Sequence, residues 1–300
     1  MLSFHPLALE DKQWIDEYVF AFGSRSADFN FGSMFMWDGR YCQQVCSFGG
    51  RLVVMAQAHG VPVFPFPVGS GELAPVIDEL RSYTRQRDIP LIVRGIERQG
   101  MEQLDEIYPG KFVFTDDREY SDYIYLTEKL ATLSGKKLHA KRNYVNRFCA
   151  ENQWSFRPLT PELFPACLEL LRRWRLTEPH YLDCTVSGEH NAILRGFENY
   201  DALGLMGGAL FSGGKLIAFT VGELACADTV DVHFEKADAD IPGAYAMINC
   251  EFAKYIAENY PHVKYMNRED DMGLDNLRQS KLSYHPEMMV EKYTAHWCSL

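Results

Sequence analysis

Two glycine pairs constrain this chain more than any other feature. Gly49-Gly50 separates "YCQQVCSF" from "RLVVMAQA", and Gly213-Gly214 divides "LMGGALFSGGKLIAFTVGEL". Strand-length apolar runs on either side of a two-residue glycine turn predict β-hairpins. Antiparallel hairpins in both halves argue against a doubly wound parallel sheet throughout. Helical periodicity surrounds each hairpin. In the first half "EDKQWIDEYVFAF", "GELAPVIDELRSYTRQRD" and "RQGMEQLDEIYPG" predict helices. Between them "RSADFNFGSMFMWDGRY" reads as an aromatic loop, "VPVFPFPVG" as an edge strand because of its prolines, and "PLIVRGI" and "KFVFTDDREYSDYIYL" as strands. In the second half "PELFPACLELLRRWRL", "SGEHNAILRGFENYDALG", "GAYAMINCEFAKYIAENY" and "GLDNLRQSKLSYH" predict helices, and "WSFRPLT", "TVDVHFEKA", "VKYMNR" and "MMVEKYTAHW" strands. The fold class is therefore α/β with mixed sheets, divided near residue 130 into domains 1–130 and 131–300.

Composition narrows the function classes. The chain has 300 residues and a formal net charge of -11, which argues against a protein that wraps DNA over its whole surface. Eight cysteines show no paired CxxC clusters, so we expect reduced thiols and no metal site. Cys149, Cys167, Cys226 and Cys250 have apolar neighbours and are expected inside. The N-terminus lacks the pattern of a signal peptide, and no apolar run is long enough to span a bilayer. A cytoplasmic protein is expected.

Against this acidic background, "SGKKLHAKRNYVNRFCAEN" stands out: between residues 129 and 150 there are six Lys or Arg and no acid. On a helical wheel Leu138, Val145 and Cys149 form the buried stripe and Lys136, Asn143 and Arg147 point away. Lys141 and Arg142 flank the stripe. They either snorkel or reach a phosphate or carboxylate in the seam between halves.

Three further segments carry polar groups in suggestive places. In "VDVHFEKA" alternation puts Asp231, His233 and Glu235 on one face, where His233 or Glu235 could serve as a general base; a half-exposed strand would look the same. In "EKADADIPGAYAMINC" a helix opens after Pro242-Gly243, where the N–H groups of Gly243 and Ala244 could face an anion. In "MNREDDMGLDNLRQSKLSYHPEMM" Asn267, Arg268, Glu269 and Asp270 stand at a strand end, followed by Arg278 and Lys281 on one helix face.

Taken together, "LSGKKLHAKRNYVNRF", "GKLIAFTVGE", "FEKADADIPGAYAMINCEFA" and "NREDDMGLDNLRQSKLSYHPEMMVEKY" resemble the C-terminal family of phosphatidylglycerol lysyltransferases. The resemblance covers most of the chain. It implies two tandem GNAT-like (acyl-CoA N-acyltransferase) domains, as in Fem-type aminoacyl transferases, with the active cleft in the second. It further implies a transferase that moves an acyl or aminoacyl group, from acyl-CoA or the acceptor end of aminoacyl-tRNA, to an amine or hydroxyl on a small molecule, peptide or lipid headgroup. No permanently bound cofactor is implied. Lys281 resembles the helix lysine that Fem-type enzymes direct at the cleft. The GNAT pyrophosphate loop maps to residues 240–245, which keep only the middle glycine, and Asp240 brings negative charge there. His233, Glu235 or Asp270 would take the acceptor's proton, and the backbone at Gly243 and Ala244 would hold the oxyanion. Lys141, Arg142, Arg278 and Lys281 would bind donor phosphates, and Asn267, Arg268 and Tyr284 would line the substrate cleft. The alternative is a non-catalytic binding module of the same fold for a small metabolite or partner protein.

Overall fold

A computed structural model describes residues 1–177 and 184–298, with the side chains of 175–187 set aside. The strands are β1 (His5–Pro6), β2 (Gln44–Phe48), β3 (Arg51–Ala58), β4 (Val61–Pro65), β5 (Val68–Gly69), β6 (Ile92–Ile96), β7 (Phe112–Asp116), β8 (Asp122–Leu126), β9 (Trp154–Pro158), β10 (Met206–Ser212), β11 (Lys215–Cys226), β12 (Thr229–Ala237), β13 (Tyr265–Asn267), β14 (Met288–Val290) and β15 (Tyr293–Trp297). The helices are α1 (Lys12–Phe22), α2 (Phe31–Tyr41), α3 (Leu73–Gln86), α4 (Arg98–Ile107), α5 (Thr127–Thr132), α6 (His139–Glu151), α7 (Phe164–Thr177), α8 (Cys184–Glu198), α9 (Tyr200–Leu203), α10 (Ala244–Asn259) and α11 (Asp275–Leu282).

Both predicted hairpins form, and each leads into the same unit. β2-β3-β4 is followed by α3 and then β6, parallel to β4; β10-β11-β12 is followed by α10 and then β13, parallel to β12. The remaining pairings are antiparallel. The first sheet runs β1-β2-β3-β4-β6-β15-β7, with β5 on β3, and the second runs β14-β8-β13-β12-β11-β10-β9. The two halves exchange strands. β15, the last strand, lies between β6 and β7, while β8 from before residue 130 lies between β13 and β14.

Helix α3 shows the sequence logic directly: Leu73, Val76, Ile77, Leu80 and Thr84 repeat at helical spacing and are all buried. Helix α10 is different. It buries residues all round, from Ala244 to Ile256, because α5 and α6 cover it on top of β10, β11 and β12. The opposite face of the second sheet contributes Phe219, Val221 and Phe234 to the core of the first half. β12 is thus buried on both faces and not half-exposed as one reading of its alternation held.

Four other expectations change. The aromatic loop contains α2, whose Phe31, Met34 and Phe35 recur at helical spacing and are buried. "VPVFPFPVG" is interior and not an edge. Its β4 pairs with β3 over Val61 to Val63 and with β6 over Phe64 and Pro65, so neither neighbour needs a donor from the whole strand. "MMVEKYTAHW" is two strands in different sheets, broken at Glu291 and Lys292. Along α6 the buried residues are Val145 and Phe148, with Leu138 at its N-cap, and Cys149 is exposed. The described cysteines are free; Cys184 lies outside the described side chains.

Candidate active site

The site lies where β11, β12 and β13 meet the loops of both halves. In the β11–β12 ladder Gly222 faces Val232 and Val221 faces Phe234, so His233 is an extra residue in a β-bulge. That bulge breaks simple alternation and separates the polar side chains of β12 into two groups.

The first group is a buried ion network. The His233 ring, fully buried, meets Glu223 at Nε2 (3.0 Å), and Glu269 (3.2 Å) and Asp231 (3.5 Å) at Nδ1. Burial alone would discharge the imidazole, but Asp231, Glu223 and Glu269 outweigh it and raise its pKa well above the usual value. Burial pushes Asp231 upward too, reinforced by the neighbouring acids and opposed by His233. The ligand-type atoms of Asp231, His233 and Glu269 lie within 4.8 Å of one another, a spacing compatible with a divalent ion. With both ring nitrogens facing carboxylates, we read the group as an ion network that joins the halves. Glu223 accepts from the N–H groups of Gly32 (3.2 Å) and Ser33 (3.0 Å) at the start of α2, and Asn30 donates to Asp231 (2.7 Å). His233 therefore does not face a substrate as a free base.

A second network continues the seam. The ammonium of Lys292, which is 1% exposed, donates to Asp28 (2.9 Å) and Asp122 (2.8 Å). Burial works against that charge, and Asp122, Asp28 and Asp270 raise its pKa nonetheless. Asn267, expected in the cleft, is buried here and donates to the carbonyl of Arg25 (2.7 Å) and to Asp122 (3.1 Å).

The second group from β12 is the chemically open one. Glu235 accepts from Arg268 Nη2 (2.9 Å) and from Asn249 on α10 (3.2 Å). The Arg268 guanidinium lies 4.9 Å from the Tyr284 ring, and Lys141 lies 4.1 Å above the same ring. Lys281 donates its ammonium to the carbonyl of Arg268. Burial and the Arg268 charge depress the pKa of both Lys141 and Lys281, while burial pushes Tyr284 up to about 12. At the centre, Arg268 Nη1 is buried without a hydrogen-bond partner among the described residues. Thus Lys141, Glu235, Arg268, Lys281 and Tyr284 meet, and Lys141 points into the second half and not into the seam. Asp270, half-buried two residues along the loop, is pushed up to about 7 by burial, with Asp122 and Glu269 adding to the shift against Lys292 and Lys281.

Other predicted residues go elsewhere. Arg142 Nη1 donates to the carbonyls of Leu133 (2.7 Å) and Gly135 (3.3 Å), serving the turn before α6. Arg278 grips Asp271 through Nε and Nη2 (both 2.9 Å). Burial opposes ionisation of Asp271, but Arg278, the Tyr123 hydroxyl and the Gly273 N–H hold its pKa at about 2. Gly243, with φ +87°, packs so closely on α6 that a Cβ there would sit 2.9 Å from the Tyr144 carbonyl oxygen. The N–H of Ala244 donates to the Ile241 carbonyl (3.2 Å) and is not free for an oxyanion. Sequence reasoning missed Asn30, Asp122, Glu223 and Lys292; only the burial of an acid within the apolar run of β11 signalled one of them.

Two βββαβ units, whose sheets exchange the later strands β8 and β15, make up a tandem GNAT-type fold. A tandem GNAT protein from the clavulanic acid biosynthesis pathway superposes with a TM-score of 0.51 at 13% identity, covering 100% of both chains. The chain belongs to the phosphatidylglycerol lysyltransferase C-terminal family, whose model matches residues 20–296. The fold is shared with a conserved protein of unknown function from Bacteroides thetaiotaomicron VPI-5482 (37% identity, 99% of this chain and 100% of that one, TM-score 0.95). It is also shared with L-PGS from Bacillus licheniformis (16% identity, 100% and 95%, TM-score 0.72). An uncharacterized protein of Mycoplasmoides gallisepticum is 27% identical over 183 residues, and the match spans 58% of this chain and 55% of that relative. Among the described residues no helix is long and apolar enough to cross a membrane.

Proposed function

We propose that this chain transfers an aminoacyl group from the acceptor end of a charged tRNA to an amine or hydroxyl acceptor. The observation that carries this reading is the unpartnered Arg268 Nη1 inside the Lys141, Lys281 and Tyr284 cluster. A buried donor without an acceptor costs stability, and a substrate oxygen would relieve that cost. Here it would receive the carbonyl oxygen of the aminoacyl ester as negative charge develops in the tetrahedral intermediate. Asp270, with a pKa near neutrality, suits removal of the acceptor's proton as its nitrogen or oxygen bonds to the carbonyl carbon. The ester C–O bond then breaks, and the departing ribose oxygen takes up that proton.

The backbone around Gly243 favours RNA over CoA. Its glycine is packed against α6, the Ala244 N–H is engaged, and Asp240 adds negative charge where a pyrophosphate would need the reverse. By contrast Lys136 and Lys137, just before α6, and Tyr144, three residues after Lys141 on it, are exposed, a cationic approach with an aromatic platform. The name of the family supplies the acceptor to try first, vesicles containing phosphatidylglycerol.

The test is transfer of label from tRNA charged with a radiolabelled amino-acid mixture to such vesicles, or to small amines and alcohols. Arg268→Gln is expected to lower the rate about 100-fold, the scale for removing one oxyanion donor. Binding of charged tRNA is expected to weaken steeply with salt. Unchanged transfer in Arg268→Gln would sink this site assignment. Transfer from acetyl-CoA but not from tRNA would sink the donor.

A further inference from the structure

A separate cavity lies in the first half, built from α1, β3, β5 and α4, and it is independent of the transferase reading. Its volume is about 270 Å³, with Phe22, Phe29 and Phe66 among its walls. The rings of Phe22 and Phe29 stand 5.9 Å apart in an edge-to-face pair, and Phe22 and Phe66 are 6.3 Å apart. Beside this aromatic wall β3 delivers Arg51, which is only 8% exposed.

Among the described residues Arg51 is a buried cation without a counter-ion. Its Nε donates to the Gly71 carbonyl and its Nη1 to the Pro67 carbonyl, each at 2.7 Å, and no carboxylate among the described residues pairs with it. Two carbonyls occupy two of the five N–H donors of a guanidinium and neutralise none of its charge. Buried charges in proteins are normally paired, because the desolvation penalty is otherwise uncompensated. Glu97, which also lines the cavity, does not pair with Arg51: Ser24 donates to its carboxylate, and burial raises its pKa, lessening the negative charge it presents. Gln99, in the first turn of α4, brings the positive end of a ten-residue helix to the same wall.

We propose that this cavity binds a small carboxylate carrying a flat apolar body, with the carboxylate on Arg51 and the body against the wall of phenylalanines. A bidentate guanidinium–carboxylate pair matches the geometry and the missing charge together. The volume falls just under the roughly 300–1,000 Å³ of drug-sized sites, which fits a single-ring metabolite.

The full chain would be titrated with phenylacetate, phenylacetamide and acetate, with binding read by calorimetry and by ligand-detected NMR. Phenylacetate is expected to bind at millimolar concentration or tighter, and at least about tenfold better than either control. Arg51→Met removes the cation. Because it also removes two backbone contacts, Ala21→Trp is the companion variant: Ala21 lines the cavity, is exposed on α1, and a large ring there closes the mouth while leaving Arg51 in place. Both are expected to lose phenylacetate binding, and Ala21→Trp alone decides if Arg51→Met does not fold. Absence of phenylacetate binding overturns the proposal. So does equal binding of the amide or of acetate, or binding unchanged in Ala21→Trp.

Discussion

Asp270 shows how burial tunes one residue in opposite directions for stability and chemistry. Its folded-state pKa of about 7 stands well above the usual aspartate value near 4. The folded protein therefore holds a proton that the unfolded chain has released across that interval. The stability linked to this group is fully present below pH 4 and is lost as pH rises through 7. Transfer needs the opposite form, so its rate is expected to rise with pH and level off above an apparent pKa near 7. Asp270→Asn keeps an oxygen to accept from the Met272 N–H, as Asp270 does at 3.0 Å. The variant is expected to abolish transfer, lose that pH limb and melt at a higher temperature than the parent above pH 7. Parent-like transfer with an unchanged pH profile would remove Asp270 from the reaction. Its polarity was legible in "NREDD", but its pKa was not. That value comes first from burial, with Asp122 and Glu269 adding to it and Lys292 and Lys281 opposing it, surroundings that only the folded chain assembles. Lys292 was less legible still, since a lysine beside a strand reads as solvated and its partners are 170 and 264 positions away.

At the scale of elements, α2 is the joint between halves. Gly32 sits at its first turn so close to Glu223 that an added Cβ would lie 2.5 Å from the carboxylate oxygen. Glu223 is thereby seated on the N–H groups of Gly32 and Ser33 while its other contact orients His233. Gly32→Ala keeps a helical residue in the helix, so intrinsic propensity favours it. It is nevertheless expected to destabilise by about 1–3 kcal/mol, the range for a buried charged group deprived of its donors. Calorimetric melts would decide; an alanine variant as stable as the parent would show that the helix start and Glu223 are not coupled. The helix itself was readable in the spacing of Phe31, Met34 and Phe35, and the aromatic density obscured it. The bulge at His233 was not readable, because "VDVHFE" alternates without a break and only pairing with β11 reveals the extra residue.

For the whole molecule, the two-fold repeat was legible because each copy carries its own glycine hairpin, and local signals suffice for hairpins. The strand exchange was not. β8 and β15 both follow the last strand of a unit, and each could close its own sheet or its neighbour's. The connection decides for β15. Only Glu291 and Lys292 separate it from β14, and a two-residue hairpin favours Gly or Asn in backbone conformations these residues disfavour. The chain crosses to the first sheet instead and carries Lys292 into the seam, where Asp28 and Asp122 neutralise it. β8 in turn supplies Tyr123 and Tyr125, 0% and 1% exposed, to the second core. A chain divided at residue 130 would therefore leave 131–300 without the strand between β13 and β14, and 1–130 without the strand between β6 and β7. Each fragment would expose unpaired strand edges and open core. Neither is expected to melt cooperatively alone, whereas mixing the two should restore a single transition and, with it, transfer. A cooperative melt of 131–300 by itself would mean that β15 can turn back into the vacant place of β8. The two halves would then be separable domains, held together by their ion networks and not by the path of the chain.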